Sequence, residues 1–456
     1  MEESEKVGQN FEPDPVHDLR VALRRCRSMA DAFAAVDPDP GWKQLKKLGK
    51  ALFGRLGALR DMQVMEEWVN DLADPEDVVG RDILKSLAEQ EAQLKADAET
   101  ALRAFDINHW QSLSAKLALR TRKITLGGAV FQHMAVERWD HAHQLHRRAL
   151  KNRSQVSFHE LRIGLKKLRY VVENFLPKRH EKWGADLREL QDLLGQVHDL
   201  DVLQGILKSR PGLTASDRAR WTAKIRAARE ERLTKYRHKM AGRQSLWHQW
   251  REDLPQGDQL QQAALTRLQT WASFLDPNFA HSQHVSVLAL QIYDGLVKNR
   301  LLRPAEKARR ILQAAALLHD VGLAKARRKH QKRSCRLISG KLAVPLGWTS
   351  EDLRAVAAVA RYHRGALPNP QHKCLKAISG AARAAIIRLA AILRLANGLD
   401  AERDGKVRRL EVERKDGFVI LRAEGYTALG PTAERVSADR YLLEASCRVA
   451  VIVRPL

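Results

Sequence analysis

Val16-His17-Asp18-Leu19-Arg20-Val21-Ala22-Leu23-Arg24-Arg25-Cys26-Arg27, near the start of the chain, returns as Phe158-His159-Glu160-Leu161-Arg162-Ile163-Gly164-Leu165-Lys166-Lys167-Leu168-Arg169. His17, Arg20, Arg24 and Arg27 recur in register as His159, Arg162, Lys166 and Arg169. Their spacing keeps each set within an arc of about 80° on an α-helix. Val16, Leu19, Leu23 and Cys26 form an apolar stripe beside the first set, and Phe158, Leu161, Leu165 and Leu168 do so beside the second. Each copy therefore predicts a helix that buries one stripe and presents a row of cations next to it. Asp14 is the expected N-cap of the first helix, with Pro15 at its first helical position. Ser157 and Glu160 have capping-box spacing in the second. Free N–H groups at each helix start add partial positive charge near His17 and His159.

A second element repeats in the same order. Leu56-Gly57-Ala58-Leu59-Arg60-Asp61 is echoed by Leu194-Gly195-Gln196-Val197-His198-Asp199. Two matches in one order imply duplication of a helical unit, and a duplicated set of bases suggests two half-sites facing one anion. Asp61 and Asp199 are expected to cap helices or to pair with the basic rows; nothing in their spacing suggests acid–base chemistry.

The chain has 456 residues, 44% of them hydrophobic, which is enough for two or three domains with cores. Lys plus Arg number 79 against 54 acidic residues, a net charge of +25. That excess favours a polyanion: nucleic acid, inorganic polyphosphate or an anionic membrane surface. The bases are interleaved with helical apolar positions, so the charge belongs to folded surfaces. Cys26, Cys335, Cys374 and Cys447 are scattered without a CxxC pair, which argues against a disulfide framework or thiolate zinc site and fits a reducing cytoplasm. Residues 1–10 are acidic and polar, unlike a signal peptide. The most apolar helix, 384–396, is interrupted by Arg388 and Arg394 and does not read as a membrane span.

Nearly everything up to about residue 249 reads as amphipathic helix, with breaks at Pro38-Asp39-Pro40, Asp74-Pro75, Gly127-Gly128, Pro177 and Pro211-Gly212. This predicts a first domain over 12–249, in halves of about 12–125 and 127–249. A linker over 250–278 is expected next, with a short helix through Trp271, and then a second domain over 279–456. Arg409 to Arg414 and Phe418 to Ala423 alternate around Lys415-Asp416-Gly417, a hairpin signal, and Cys447 to Val453 is a candidate third strand. The fold class expected is mainly α: a duplicated helical bundle followed by a helical domain ending in a small antiparallel β-sheet.

The duplicated His-x2-Arg-x3-basic-x2-Arg helix, together with the Leu-Gly…Asp echo, resembles the CHAD family, the conserved histidine α-helical domain. The resemblance implies a pseudo-twofold pair of helical bundles around a basic cavity that binds inorganic polyphosphate. It places His17, Arg20, Arg24, Arg25, Arg27, Arg60, His159, Arg162, Lys166, Lys167 and Arg169 at that cavity. His198 departs from the family, which usually carries a small polar residue there. Polyphosphate has about one charge per phosphate and no bases to read, so dense Arg and Lys with forked hydrogen bonds suit it. The scarcity of aromatics, 6%, argues against a protein that stacks single-stranded bases. Non-specific nucleic-acid or ribosome binding is the alternative that the net charge supports. A polyphosphate partner would associate the protein with cytoplasmic polyphosphate granules.

The second domain carries histidines and carboxylates in series. His281 lies on a helix, His319-Asp320 ends an apolar run, and His330, Lys332, Arg333, His363 and Arg364 precede Asn397-Gly398-Leu399-Asp400. An adjacent His-Asp with a His before it and a carboxylate after it has the spacing of an HD-type metal site, which activates water against phosphate esters. This half resembles the C-terminal helical domain of the exopolyphosphatase and guanosine pentaphosphatase group, within the HD superfamily. The resemblance implies a divalent metal ion held at His281, His319, Asp320 and Asn397. Asn stands where an active site wants Asp, and its neutral oxygen weakens the hold on a hard cation; Asp400 is a candidate substitute. His330, Lys332, Arg333, His363 and Arg364 are candidates for a phosphate-binding patch. Three readings stand: an accessory phosphate-binding module, a metal-dependent phosphohydrolase acting on polyphosphate or nucleotides, or ordinary core and surface histidines. Asn397 favours the first.

Overall fold

A computed structural model describes Val7, Phe11 and residues 13–376 and 378–456. The acidic stretch 1–10 lies outside the described residues except for Val7, as does residue 12, the expected start of the first domain. The chain divides into two compact units, 1–259 and 260–456.

In the first unit, α1 (Pro13–Ala34) carries the first basic row. It is followed by α2 (Gly41–Leu48), α3 (Lys50–Leu72), α4 (Val78–Arg103) and α5 (Ile107–Thr121). The second half holds α6 (Ala129–Asn152), α7 (Gln155–Phe175) with the second basic row, α8 (Pro177–Ser209), α9 (Ala215–Met240) and the short α10 (Leu246–Glu252). The duplication is visible in these lengths. α4 and α9 each have 26 residues, and α2 with α3, over 41–72, is one residue shorter than the unbroken α8 of 33 residues. The break falls at Gly49, where a Cβ would lie 2.9 Å from the Trp110 ring.

The second predicted apolar stripe is buried throughout, at Phe158, Leu161, Leu165 and Leu168 on α7; of the first, Val16, Leu19 and Leu23 on α1 are buried and Cys26 is partly exposed. The α1 stripe packs on Leu52, Leu56 and Leu59 of α3. Counterpart helices of the two halves also share a core, in which Trp68 and Ile83 meet Leu203, Leu207 and Trp221. Burying such apolar side chains stabilises the unit by roughly 1.5–3 kcal/mol each. Two capping expectations change. α1 already begins at Pro13, so Asp14 lies in its first turn. The N-cap of α7 is Ser154, whose side chain accepts from the Ser157 amide, and Ser157 itself is helical.

The second unit comprises α11 (Gly257–Ser273), α12 (Phe279–Lys298), α13 (Glu306–Leu318), a 3-10 turn (Val321–Ala324), α14 (His330–Gly340), α15 (Ser350–Arg361), the single turn α16 (Lys373–Lys376) and α17 (Gly380–Leu399). After them come β1 (Arg409–Lys415), β2 (Phe418–Glu424), α18 (Pro431–Asp439), α19 (Tyr441–Cys447) and β3 (Ala450–Pro455). The expected linker does not hold over its length. α11 sends Leu265, Leu268 and Trp271 into the main core of this unit, because its apolar face is too large to leave in water. The sheet is mixed and not antiparallel throughout: β1 pairs antiparallel with β2, but β3 joins β2 in parallel. A parallel neighbour requires a crossover, and α18 and α19 supply it. Among the described residues no helix is long and apolar enough to cross a membrane.

Candidate functional site

Two groups of side chains carry chemistry, one in each unit. In the first, α1 and α7 turn their basic rows toward each other. Arg24 of α1 and Lys166 of α7, which are equivalent in the repeat, both lie over the ring of Tyr170, at 5.8 and 5.9 Å. Glu173 pairs with Arg25 from one copy at 3.2 Å and with Arg169 from the other at 3.3 Å. An open cleft of about 730 Å³ is lined here by Arg24, Arg27, Lys46, Arg138, Lys166 and Lys167, with Phe53 and Tyr170 among its apolar walls. Asp31 also lines it and is paired with Lys46.

Positive charge in this group exceeds its local neutralisation. Burial, then Arg162, Arg24 and Arg20, push the Lys166 ammonium down to about 8. Burial and then Arg60 and Arg24 lower His17, and burial followed by Arg162 and His159 lowers His198. His159 and His198 face each other with Nδ1 atoms 3.3 Å apart. Arg20, Arg24 and Arg162 each bury an Nε with no hydrogen-bond partner, a costly state for a charged donor unless an acceptor arrives. The two repeat aspartates respond to the same field. Asp61 pairs with Arg20 at 3.4 Å. Burial pushes Asp199 up to about 6, with Arg162, Arg20 and Arg60 opposing and Asp61 adding to the rise.

In the second unit the donors converge in a buried place. Asp276 fixes the start of α12 by accepting from the Asn278 amide and the Ser282 hydroxyl, which sets His281 in place. α13 ends at Leu318, and His319 and Asp320 turn into the 3-10 segment. Gly322 lets that segment abut α14, because a Cβ there would come 2.3 Å from the His330 carbonyl oxygen. Asp320 Oδ1 then lies 3.0, 3.6 and 3.7 Å from Nε2 of His330, His363 and His319.

The opposite ring nitrogens explain this aim. Nδ1 of His319, His330 and His363 each sits 2.6–2.9 Å from a backbone carbonyl three residues earlier, those of Ala316, Arg327 and Ala360. A carbonyl only accepts, so each Nδ1 carries the proton, and in a neutral ring Nε2 presents its lone pair. Burial lowers His319, and lowers His363 strongly, which keeps these rings neutral. Burial alone would raise Asp320, but its neighbours, His319 first and then His330, His363 and Arg403, hold it well below the usual carboxylate range. Such back-bonded histidines around a carboxylate are a common arrangement for metal ligands. His281, His319 and Asp320 form one donor group able to hold a metal ion, and Asp320, His330 and His363 form a second. The buried, unpaired His319 Nε2 and Asp320 Oδ1 fit that use.

Residues 2–208 match the CHAD domain, and residues 260–418 match Ppx/GppA phosphatase, domain III. The chain joins a CHAD domain to a Ppx/GppA domain III. No curated protein matches it. The CHAD match ends with α8, so α9 and α10 extend the unit beyond it.

The structure sorts the sequence-predicted residues. In the CHAD domain Arg24, Arg27, Lys166 and Lys167 line the cleft. Arg20, Arg60 and Arg162 surround the Asp61–Asp199 pair instead. Arg27 also donates to the Lys46 carbonyl at 2.7 Å, near the end of α2, and Arg60 pairs with Glu67. In Ppx/GppA domain III, His330 and His363 belong to the donor cluster and not to an outer patch. Arg333 spends its guanidinium on the carbonyls of Gly322, Ala326 and Arg328, and so braces the turn before α14. Lys332 is exposed and does not line the pocket. Asp400 accepts from His281 Nδ1 at 2.6 Å, and Asn397 Oδ1 lies 3.1 Å from Nε2 of the same ring.

The pocket over the cluster, about 170 Å³, also takes in Arg364, Arg403 and Arg435. Arg403 reaches Asp320 Oδ2 at 2.6 Å. Arg403, Arg435 and Tyr170 were not among the residues singled out in the sequence. Only Tyr170 left a signal, four residues after Lys166 on the same helical face.

Proposed function

We propose that the CHAD domain binds inorganic polyphosphate in the cleft its two repeat helices share. The observation that carries this reading is the meeting of register-equivalent Arg24 and Lys166 at a single ring, Tyr170. It brings the two basic rows together, as a threadlike polyanion requires. Arg24, which lines the cleft, buries an Nε without a partner, a donor suited to a phosphate oxygen. The partner in turn suggests a cytoplasmic protein associated with polyphosphate granules. The test is competition: long-chain polyphosphate is titrated against the intact protein carrying labelled RNA at moderate salt. Displacement of RNA well below charge equivalence supports the reading. Equal affinity for both polymers would favour non-specific nucleic-acid binding instead.

A second reading concerns Ppx/GppA domain III. We infer that His319, Asp320, His330 and His363 hold a divalent ion, with His281 beside them. Such an ion polarises a phosphoryl oxygen and acidifies a bound water. The chain's own part is orientation. The three Nδ1–carbonyl bonds aim the rings, and Arg364, Arg403 and Arg435 offer donors to phosphate oxygens at the pocket. His281 is already satisfied by Asp400 and Asn397, and Asn397 adds no charge, so accessory phosphate binding is favoured over hydrolysis. Release of inorganic phosphate from polyphosphate that disappears in His319→Ala would reverse that preference.

A further inference from the structure

Two open cavities of the second unit run into one another. One, of about 480 Å³, lies between α13, α15 and the start of α17 and is walled by Ile311, Ala355, Ile378 and Ile386. The other, of about 650 Å³, lies between α12, α17 and the connection 299–305 and is walled by Val297, Leu301 and Leu302. Ala305, Ala308, Ala385 and Leu389 line both, so they mark the passage that joins them. Three of these four are alanines, whose short side chains keep the passage open. Tyr293 fixes the connection: its hydroxyl donates to the Ala305 carbonyl at 3.1 Å and accepts from the Ala305 amide at 3.3 Å.

Unanswered charge lies at one end only. At the first cavity Lys307 pairs with Asp352 at 2.7 Å and Arg354 with Glu351 at 3.7 Å, so these four charges answer one another. The second cavity is lined by Arg300, Arg303 and Arg388. Among the described residues no carboxylate lines that cavity, and none of the three arginines has an ion-pair partner. An apolar groove that is neutralised at one end and cationic at the other is complementary to a molecule with a long apolar body and one anionic tip.

We propose that this groove binds a single-chain anionic amphiphile, an acyl chain ending in a carboxylate or a phosphate. The head meets Arg300, Arg303 and Arg388, and the chain runs past Ala308 and Ala385 toward Ile311 and Ile386. Burial of the methylenes supplies most of the affinity, and the guanidinium forks fix the direction of entry. The groove shares no lining residue with the metal cluster's pocket or the CHAD cleft, so it is independent of the phosphate readings above.

The test is isothermal titration of the intact protein with palmitate and with palmitoyl lysophosphatidate, each below its micellar concentration. Saturable binding of either, one molecule per chain, is expected, and the tighter of the two names the head group. A trimethylammonium amphiphile of the same chain length, and inorganic phosphate as the head alone, should bind at least about tenfold more weakly. Arg300→Glu with Arg303→Glu should weaken amphiphile binding at least about tenfold. Ala305→Trp, at an exposed position, leaves every charge in place and should abolish binding by filling the passage, with circular dichroism confirming the wild-type fold. No saturable binding of either anionic amphiphile overturns the proposal, as does equal binding of the cationic one or binding that survives Ala305→Trp. Attachment to phosphatidate vesicles without uptake of free amphiphile also overturns it, because the arginines would then be a membrane-surface patch.

Discussion

In the CHAD cleft, cations press on one another. Burial with Arg162, Arg24 and Arg20 weakens the hold of Lys166 on its own proton. In the cluster of Ppx/GppA domain III, three imidazole nitrogens and a carboxylate oxygen press on one another, answered on the described side chains by Arg403. The first arrangement is open and built by duplication. The second is buried, built from single residues just past α13, at the start of α14 and just past α15, and fixed by backbone bonds. Excess positive charge with access to water suits a mobile polyanion whose counterions are released on binding. Converging lone pairs of buried side chains suit one small cation of set geometry. Under the proposed function the two regions would address phosphate by different physics, and measurements can separate them.

The sharpest separation is expected from Asp320→Asn. It removes the charge shared by both donor groups, so tight divalent-metal binding should fall by at least about 100-fold, read by metal analysis of the purified protein and by titration with Mn2+. Polyphosphate affinity should stay unchanged. Loss of both would break the division between the regions. Next is the double reversal Arg24→Glu with Lys166→Glu. Charged hydrogen bonds contribute about 1.5–3 kcal/mol each, so polyphosphate affinity should drop about 100-fold or more. The control pair Lys43→Glu with Arg103→Glu makes the same change in net charge at exposed positions and should cost only a few-fold, by about the scale of screened surface charges. Equal losses would show a diffuse field and no cleft.

Salt should act on one region only. For about four phosphate contacts, raising salt from about 50 to about 200 mM should weaken polyphosphate binding roughly 50-fold, while metal binding changes less than about twofold. Isothermal titration at several salt concentrations reads both. The smallest effect is pH-dependent. Lys166 titrates near 8 in the free protein, and a bound phosphate would raise that value. Binding then takes up a proton above pH 8, so affinity should fall about fivefold between pH 7 and 9. Lys166→Arg keeps its charge and should flatten the slope. A wild-type profile as flat as that of the variant would remove Lys166 from the cleft.

The parts of this molecule that repeat or alternate were legible in its residues. The 3.6-residue period placed α1 and α7 and their buried stripes, and the His-Asp pair after Leu318 pointed to the cluster. What stayed hidden depends on tertiary approach. Tyr170 takes its meaning from Arg24, a residue 146 positions away. Arg403 sits in a left-handed turn with φ 60°, and no period leads from α17 to its contact with Asp320. The parallel placement of β3 follows from the crossover made by α18 and α19, and short alternating runs do not encode direction. The assignment of Asp400 to the far nitrogen of His281 also depends on ring orientation, which spacing alone leaves open.

Inorganic polyphosphate reads the same from either end, unlike a nucleic acid with its 5′ and 3′ termini. Because Arg24 and Lys166 hold equivalent positions in two copies of one helix and meet at one ring, a strand entering head-first or tail-first would find nearly the same succession of charges. Under the proposed function, a receptor made by copying itself would be indifferent to the polarity of its guest, and a guest without polarity would lose nothing by that indifference.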